Sequence, residues 1–526
     1  MRLDKVYIDG FKNLKQLDVD FDETKLTTVL IGQNGAGKSN LIEAITQVFR
    51  WVDLRKHEPR FHYRVDYRIS GARVTLSNVP KEPSVKVDGK EVKRPEFENR
   101  KTDWFPDLVF GYSSGSGRRM EQLFDQHQAN YYRAIARNND EAACFDALLN
   151  RRLFFCRPVH GALALLSLFA FPESRVGSEL QTKLGITGFH SSLALFREPW
   201  YAKGGKAAKT SNSSNFWGAE GPAGRTASKL KDLAFHPMSL TGNAIDDYRD
   251  KKQDEAQFAT FLPSHEALKA LGKEFSDDGD LFYALEALDV SDLIRDVMVW
   301  VTRDNDNSGD VGFSDLSDGE RQLLMVLGMI RISRGKRVLF LLDEPDTHLN
   351  PHWQHSYLEL IRQWTGIAAD VDKSHIVLTS HNPLTISALS RDEVRVMSTD
   401  PDGRTVATAP YVDPRGMGFT TTLTEIFGLP SSLDSHTQRL LDIRTRLSKR
   451  PSITATHQKR ILLVNDALSR LGFLQEDRDP LYQRFLLAWH DVRWAKRPPL
   501  KPADLEAQHS AMRALIAELV AMESAT

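Results

Sequence analysis

Cysteine is scarce in this chain of 526 residues, which contains only Cys144 and Cys156. Two cysteines are too few for a disulfide framework or for a zinc site built from cysteine ligands. The scarcity excludes the disulfide-rich secreted classes and is typical of a reducing compartment. We therefore expect a cytoplasmic protein.

An excess of charge and long apolar runs are also lacking. The 69 Lys and Arg residues nearly balance the 70 Asp and Glu residues, so the chain as a whole lacks the positive field of a protein that coats nucleic acid. The most apolar stretch, "GALALLSLFAF" at 161–171, is too short to cross a bilayer and predicts a buried helix. Nothing resembling a signal peptide opens the sequence, and we expect no membrane contact.

What is present is a folded composition, with 41% hydrophobic residues, in which strand patterns and helix patterns follow one another. The predicted fold class is α/β. We divide the chain into a strand-rich section at 1–120, a mostly helical insertion at 121–310 with a flexible Gly/Ser/Lys-rich loop at 203–229, a second α/β section at 311–429, and a helical region at 430–526.

The stretch "GQNGAGKS" at 32–39 fits the P-loop pattern G-x-x-x-x-G-K-[ST]. It follows the apolar strand "TTVLI" and precedes a helix predicted from Ser39 to about Trp51. In such a loop backbone N–H groups and the lysine hold phosphates, and the serine is a ligand of Mg²⁺. The predicted ATP-binding residues are Asn34, Gly35, Ala36, Gly37, Lys38, Ser39 and Asn40. The alternative is a Gly-rich strand-to-helix turn that binds nothing.

Two further motifs suit ATP hydrolysis. "VLFLLDEP" at 338–345 is an apolar strand that ends in two acids. We assign Asp343 to Mg²⁺ and Glu344 to general-base catalysis on water. In "LSDGE", Ser317, Asp318, Gly319 and Glu320 open a predicted helix whose small polar start suits a γ-phosphate. An ordinary capping box, with Ser317 as the cap, is the alternative interpretation of this segment.

Together with "IDGFKNLKQLDVDF" and "LTSHNP", these motifs resemble the ABC-type ATPase heads of the SMC, RecF and OLD group. The resemblance covers about the first 120 residues and 311–400. It implies that "LSDGE" closes over ATP bound to a second copy, so that the active unit is a head-to-tail dimer, and that the oligomer is this size or larger. It also implies that His381 senses the γ-phosphate and that Asp346 begins a loop that crosses between protomers.

The sequence departs from the group's pattern at two points. Asp318 stands where transporters of the wider family usually carry glycine. No glutamine follows the strand "DLVFGY" directly, and Gln122, Gln126 and Gln128 come later, so the glutamine that would join the metal site stays unassigned.

Sections outside these motifs narrow the resemblance. The insertion lacks the heptads of an SMC coiled coil, which predicts a compact protein. Near the C-terminus Asn465 stands where a Toprim nuclease of OLD type needs glutamate, and Asp477 and Asp479 follow too closely. The chain looks most like the PtuA-type ATPases of Septu and retron-associated antiphage systems. That resemblance implies a separate HNH nuclease as partner and, if retron-associated, a reverse transcriptase with its RNA–DNA.

Two alternatives remain, a RecF-like repair ATPase and an OLD-like nuclease.

Residues 436–501 have a local excess of Lys and Arg with Trp489 and Trp494 among them, so this segment is a candidate for DNA contact. Solvated helix faces explain the same charges equally well. In "THLNPHWQH", Asn350 and Pro351 predict the start of a helix that carries His352 and His355, so we expect no metal-histidine site there and place His348 near a dimer interface.

Overall fold

The computed structural model describes residues 1–471 apart from 116, 137, 172–183, 201–211, 244–253, 305, 334, 366–372, 430–432 and 449–453. By contacts the chain divides into two compact units, Met1–Leu429 and Pro430–Thr526. The helix character expected beyond residue 471 lies outside the described residues.

The strands are β1 Arg2–Asp9, β2 Leu17–Asp20, β3 Thr27–Gly32, β4 His62–Ile69, β5 Ala72–Ser77, β6 Val85–Val87, β7 Lys90–Glu91, β8 Leu108–Ser113, β9 Leu153–Phe155, β10 Ile186–Arg197, β11 Met238–Asn243, β12 Asp254–Leu262, β13 Ile294–Arg303, β14 Asp306–Gly312, β15 Val338–Asp343, β16 Ser374–Thr379, β17 Val394–Thr399 and β18 Thr405–Thr408.

The α-helices are α1 Lys38–Leu54, α2 Arg94–Asn99, α3 Lys101–Trp104, α4 Asp125–Ile135, α5 Glu141–Leu149, α6 Val159–Ala170, α7 Gly221–Leu233, α8 His265–Gly272, α9 Asp278–Val290, α10 Asp318–Ile332, α11 Pro351–Thr365, α12 Pro383–Ile386, α13 Gly418–Thr421, α14 Ser435–Ser448 and α15 Ala455–Arg470.

The central sheet has seven strands in the order β18-β17-β3-β16-β15-β8-β9. All neighbours are parallel except β17 and β18. Strands such as β3 and β15 are buried apolar runs because layers cover both faces of the sheet. Alternate residues of β15 enter two different core clusters, Phe340 one of them and Leu341 the other. This topology, with a P-loop directly after β3, confirms the predicted α/β ATPase-head fold class.

A second sheet is antiparallel, with strand order β2-β1-β4-β5-β6-β7. Its inner side chains share a core with α1, which buries Leu41, Ile45 and Phe49 on its apolar face. The strand patterns in "LDKVYIDGF", "YRVDYRI" and "ARVTL" are therefore confirmed as β1, β4 and β5. This core packs the P-loop helix α1 against the antiparallel sheet.

The prediction of a mostly helical insertion at 121–310 missed a sheet. Helices α4 to α9 are present, but a third sheet of five antiparallel strands, β11-β12-β10-β13-β14, lies among them. Its longest partners, β10 and β13, pair residue Ile186 with Arg303 across more than a hundred positions. Cross-strand pairing and burial decided the conformation of these segments, and neither can be read from local helix propensity.

Two smaller predictions concern helices. The expected flexible loop at 203–229 is wrong in its second half, because α7 begins at Gly221 with Pro222 in its first turn and buries Ala223, Ala227 and Leu230 on one face; residues 201–211 lie outside the described part. The apolar stretch at 161–171 is confirmed as a buried helix, α6. In the ranges that the structure describes, every helix is too short or too polar to span a bilayer.

Candidate functional site

The P-loop connects the buried strand β3 to helix α1. Gly35 and Gly37 have φ values of 84° and 97°, in the left-handed region that favours glycine. A Cβ atom on Gly37 would lie 2.5 Å from a methyl group of Leu14. The tight loop leaves Gln33, Asn34 and Gly35 at the surface, in front of the first turn of the helix. Free N–H groups at a helix start bind anions, so this arrangement suits a phosphate.

Lys38 fills the mouth of this loop. Its Nζ donates hydrogen bonds to the carbonyl oxygens of Gly32 at 2.9 Å and Gln33 at 3.1 Å. Burial lowers the pKa of the lysine, and the negative charges of Glu344 and Asp343 work in the opposite direction. An ammonium group in a partly buried loop, with acids close by, is placed to donate hydrogen bonds to phosphate oxygens in exchange for backbone carbonyls.

The end of β15 meets the start of α1 at Asp343. Its Oδ1 accepts hydrogen bonds from the hydroxyl groups of Ser39 at 2.7 Å and Thr379 at 2.8 Å, and its Oδ2 accepts one from Ser113 at 3.4 Å. One carboxylate and three hydroxyl oxygens form a set of hard donors, which is the chemistry that Mg²⁺ prefers. Ser39 and Asp343, predicted as metal ligands, are thus adjacent and fit the ion.

Glu344 has a left-handed backbone, with φ of 51°. For a residue other than glycine this conformation costs about 1–3 kcal/mol and persists only where its surroundings hold it. The backbone N–H of Glu344 donates to Thr379 Oγ1 at 2.9 Å, and its carbonyl accepts from Thr347 Oγ1 at 3.0 Å. In this backbone conformation the carboxylate lies away from the strand and beside His381.

His381 follows β16, the neighbour of β15 in the sheet. Its Nε2 lies 3.2 Å from Oε1 of Glu344. Burial lowers the pKa of His381 and the nearby Lys38 lowers it further, against the opposing charge of Glu344. The lowered pKa favours the neutral imidazole, and the pair of Glu344 and His381 combines a proton acceptor with a group that responds to added negative charge.

The signature segment lies at the start of α10. Ser317 caps the helix, because its Oγ accepts the Glu320 N–H at 3.3 Å, while the Glu320 carboxylate accepts the Ser317 N–H at 2.8 Å. Asp318 pairs with Arg321 on the surface. The capping box expected as the alternative is therefore present, and it leaves Ser317 and Asp318 exposed to a second molecule.

The structure does not bring Asp346 into this group. Its carboxylate is 2% exposed and accepts hydrogen bonds from Ser380 Oγ at 2.6 Å and Thr385 Oγ1 at 2.5 Å. Burial raises its pKa. Within the described chain Asp346 fixes the loop after β15 to the loop after β16.

Several residues of the site were not predicted. Asn13 bonds to the Gly35 carbonyl and accepts from Asn40 Nδ2 at 2.7 Å, which places the "GFKN" turn against the P-loop. Ser113 ends β8 beside Asp343, at the place where the family resemblance implies a glutamine. By contrast, Gln128 bonds to Arg151, away from that position. Only their place directly after apolar strands could have identified Ser113 and Thr379.

The histidine-rich segment after β15 leads into helix α11. Trp353 N–H donates to Asn350 Oδ1 at 2.9 Å, which confirms Asn350 as the cap of α11 and puts His352 and His355 on that helix. Within the described ranges, His, Cys, Asp and Glu side chains form no group of three or more that could hold a metal ion.

Two family models match the chain. The first, described as "AAA ATPase domain", matches residues 1–153 and includes the P-loop. The second, described as "AAA domain, putative AbiEii toxin, Type IV TA system", matches residues 207–387 and includes the signature, Asp343, Glu344 and His381. Over these two regions the chain is similar to AAA-type ATPase domains.

Curated relatives match only parts of this ATPase. The DNA replication and repair protein RecF of Lactobacillus acidophilus is 51% identical over 45 residues, and RecF of Deinococcus deserti is 28% identical over 152 residues. The matched regions are 9% and 26% of this chain and span 12% and 41% of the two relatives. Among solved structures, the SMC head domain from Thermotoga maritima is 12% identical, with a low TM-score of 0.31 over 78% of this chain and all of that one.

Proposed function

We propose that this protein binds ATP with Mg²⁺ and hydrolyses it. The observation that carries the proposal is the contact between Ser39 and Asp343, which joins the P-loop to the strand that ends in Glu344. Lys38 and the P-loop N–H groups would hold the phosphates, and Ser39 and Asp343 would hold the metal ion, which when bound would supply positive charge to the phosphate oxygens. Glu344 takes the proton of the attacking water, and neutral His381 orients toward the γ-phosphate.

The proposed active unit is a head-to-tail dimer. Ser317 and Asp318 are exposed at the start of α10, and their recorded bonds are to Glu320 and Arg321 of the same helix. A helix start with small polar residues is suited to a phosphate. In the proposed dimer this segment supplies that surface to ATP held by the other copy, with Asp346 and His348 close to the boundary.

The biological role that we propose is antiphage defence, in which ATP turnover controls a separate HNH nuclease. The resemblance to PtuA-type ATPases supports this role, and the toxin named in the description of one matching family is compatible with it. A reverse transcriptase and its RNA–DNA are further partners if the system is retron-associated. We place the complex in the cytoplasm, in keeping with two free cysteines.

A RecF-like role in DNA repair is the second candidate, because both curated relatives are replication and repair proteins. The exposed cations Lys459 and Arg460 on α15 belong to the segment proposed for DNA contact. An OLD-like nuclease within this chain has less support, since Asn465 lies inside α15 and not at the end of a strand.

Nucleotide binding tests the site first. We expect Lys38→Ala to weaken ATP binding strongly, because the ammonium is the one side-chain cation bound within the loop, whereas Lys90→Ala, on the exposed strand β7, leaves binding unchanged. Fluorescence titration with a labelled ATP analogue measures both. Equal affinities for the two variants would contradict the assigned phosphate site.

The roles are separated by partners and substrates. Affinity purification of the tagged chain from its native host, followed by mass spectrometry, is expected to recover an HNH nuclease. ATPase activity that rises with added DNA in the chain alone would favour the RecF-like role. Metal-dependent DNA cleavage by the purified chain alone would favour the OLD-like nuclease and contradict the proposal of a separate one.

A further inference from the structure

Gln322 is a buried polar residue one turn into α10, three positions after Gly319. Its side chain is 3% exposed, although Ser317 and Asp318 of the signature segment are exposed. A buried amide must find hydrogen-bond partners, since leaving one unpaired costs about 1–3 kcal/mol. The partners of Gln322 therefore show which part of the protein the signature helix holds.

The partners lie in the loop that follows the catalytic strand. Gln322 Oε1 accepts the backbone N–H of His348 at 3.2 Å, and Nε2 donates to the carbonyl oxygen of Glu344 at 3.5 Å, a long bond. The hydroxyl of Tyr112, on β8, also bonds to the amide. One side chain thus bridges the signature helix and both ends of the segment 344–348.

Steric contact reinforces this bridge. A Cβ atom on Gly319 would lie 2.5 Å from the carbonyl oxygen of His348, so the helix start and the loop pack backbone against backbone. On the other side, Glu320 pairs with Arg303 at the end of β13. Because the packing is this close, a displacement of the signature segment also displaces the loop.

The loop in turn determines where the Glu344 carboxylate points. The left-handed backbone of Glu344 depends on hydrogen bonds to its own N–H and carbonyl groups. The carbonyl oxygen accepts from both Gln322 and Thr347. Because such a conformation is costly, a change in its supports shifts its population.

We propose that Gln322 is a positioning residue that couples the signature segment of each copy to that copy's own Glu344. This inference rests on the proposed dimer, in which the signature contacts ATP of the other copy. Contact with that nucleotide then fixes the position of α10, and Gln322 transmits the change to the loop at 344–348. On this proposal the two sites of a dimer activate each other through Gln322.

The test compares Gln322→Met with Gln354→Met. Methionine has a similar shape and flexibility but no amide. Gln354, on α11, donates to the carbonyl oxygen of Asp346 at 3.4 Å, so it bonds to the same loop from a different helix. Three quantities are measured for each protein, namely ATP affinity, ATP hydrolysis per chain as a function of protein concentration, and the melting temperature.

For the wild type and Gln354→Met, we expect the rate per chain to rise as the concentration passes through the range in which dimers form. For Gln322→Met, we expect unchanged ATP affinity and dimer formation, with the rise in rate reduced by about 2- to 30-fold, the range of single-residue couplings. A purely structural role would lower the melting temperature and leave the concentration dependence intact.

Gln322→Met with the concentration dependence of the wild type would overturn the coupling and leave the dimer proposal standing. A wild type whose rate per chain is constant at all concentrations would overturn both. If Gln322→Met fails to fold, Gln322→Glu decides, since it keeps the acceptor for His348 and loses the donor to Glu344. We expect it to be uncoupled as well, and wild-type coupling in this variant would overturn the inference.

Discussion

Thr379 is the residue whose replacement tests the geometry of the catalytic carboxylates most sharply. Its hydroxyl donates to Asp343 at 2.8 Å and accepts from the Glu344 N–H at 2.9 Å. The side chain is fully buried at the end of β16. Thr379→Val keeps the shape and removes both bonds, whereas Thr379→Ser keeps the hydroxyl and serves as the matched control.

The size of the effect follows from the two bonds. A hydrogen bond to a charged group contributes about 1.5–3 kcal/mol, and an N–H left unpaired when buried costs about 1–3 kcal/mol. If about 1.4–2.8 kcal/mol of this total is lost in the transition state, hydrolysis slows by roughly 10- to 100-fold. ATP affinity is set mainly by the P-loop and Lys38, so it should change little.

Steady-state ATPase assays across a range of Mg²⁺ concentrations measure this effect. We expect Thr379→Val to lower kcat and to require more Mg²⁺, because Asp343 is free to turn, while Thr379→Ser stays within about threefold of the wild type. Equal kcat values for the valine and serine variants would refute the claim that this hydroxyl positions the two acids.

Three other substitutions test the P-loop turn, a buried histidine and a buried ion pair. Gly37→Ala forces a Cβ against Leu14 at a φ of 97°, and we expect it to abolish ATP binding in a titration while circular dichroism shows a folded chain. Burial lowers the pKa of His375 well below its usual 6.5, so the unfolded chain binds a proton that the folded chain excludes and stability falls as the pH drops below about 6.5. His375→Gln should make that fall shallower by up to about 1.4 kcal/mol per pH unit in denaturant titrations, and equal slopes would contradict the burial of a neutral imidazole. Arg151→Met leaves the fully buried Glu286 without its ion pair and should cost about 3–5 kcal/mol of unfolding free energy, whereas an unchanged melting temperature would contradict a buried pair.

Much of the candidate ATP site could be predicted from the sequence because its motifs are local. The P-loop needs eight consecutive residues between a strand and a helix, and Asp343 and Glu344 end an apolar strand that is recognisable by itself. Helix α11 was predicted from Asn350 and Pro351 for the same reason. Each of these signals lies within a few residues of the feature that it predicts.

Contacts between distant segments could not be predicted. Thr379 meets Asp343 across 36 positions, and Ser39 meets it across 304. The five-stranded sheet was missed because β10 finds its partners β12 and β13 only after the chain has passed through other elements. For such residues the neighbours created by folding, and not the local pattern, decide conformation and role.

The central claim is that Glu344 activates water at a site that holds ATP independently of it. The most direct measurement is the rate of ATP hydrolysis by Glu344→Gln, beside its affinity for ATP. The account predicts binding close to that of the wild type and hydrolysis slower by about 10²- to 10⁴-fold, the usual contribution of a general base. Hydrolysis at the wild-type rate would contradict it.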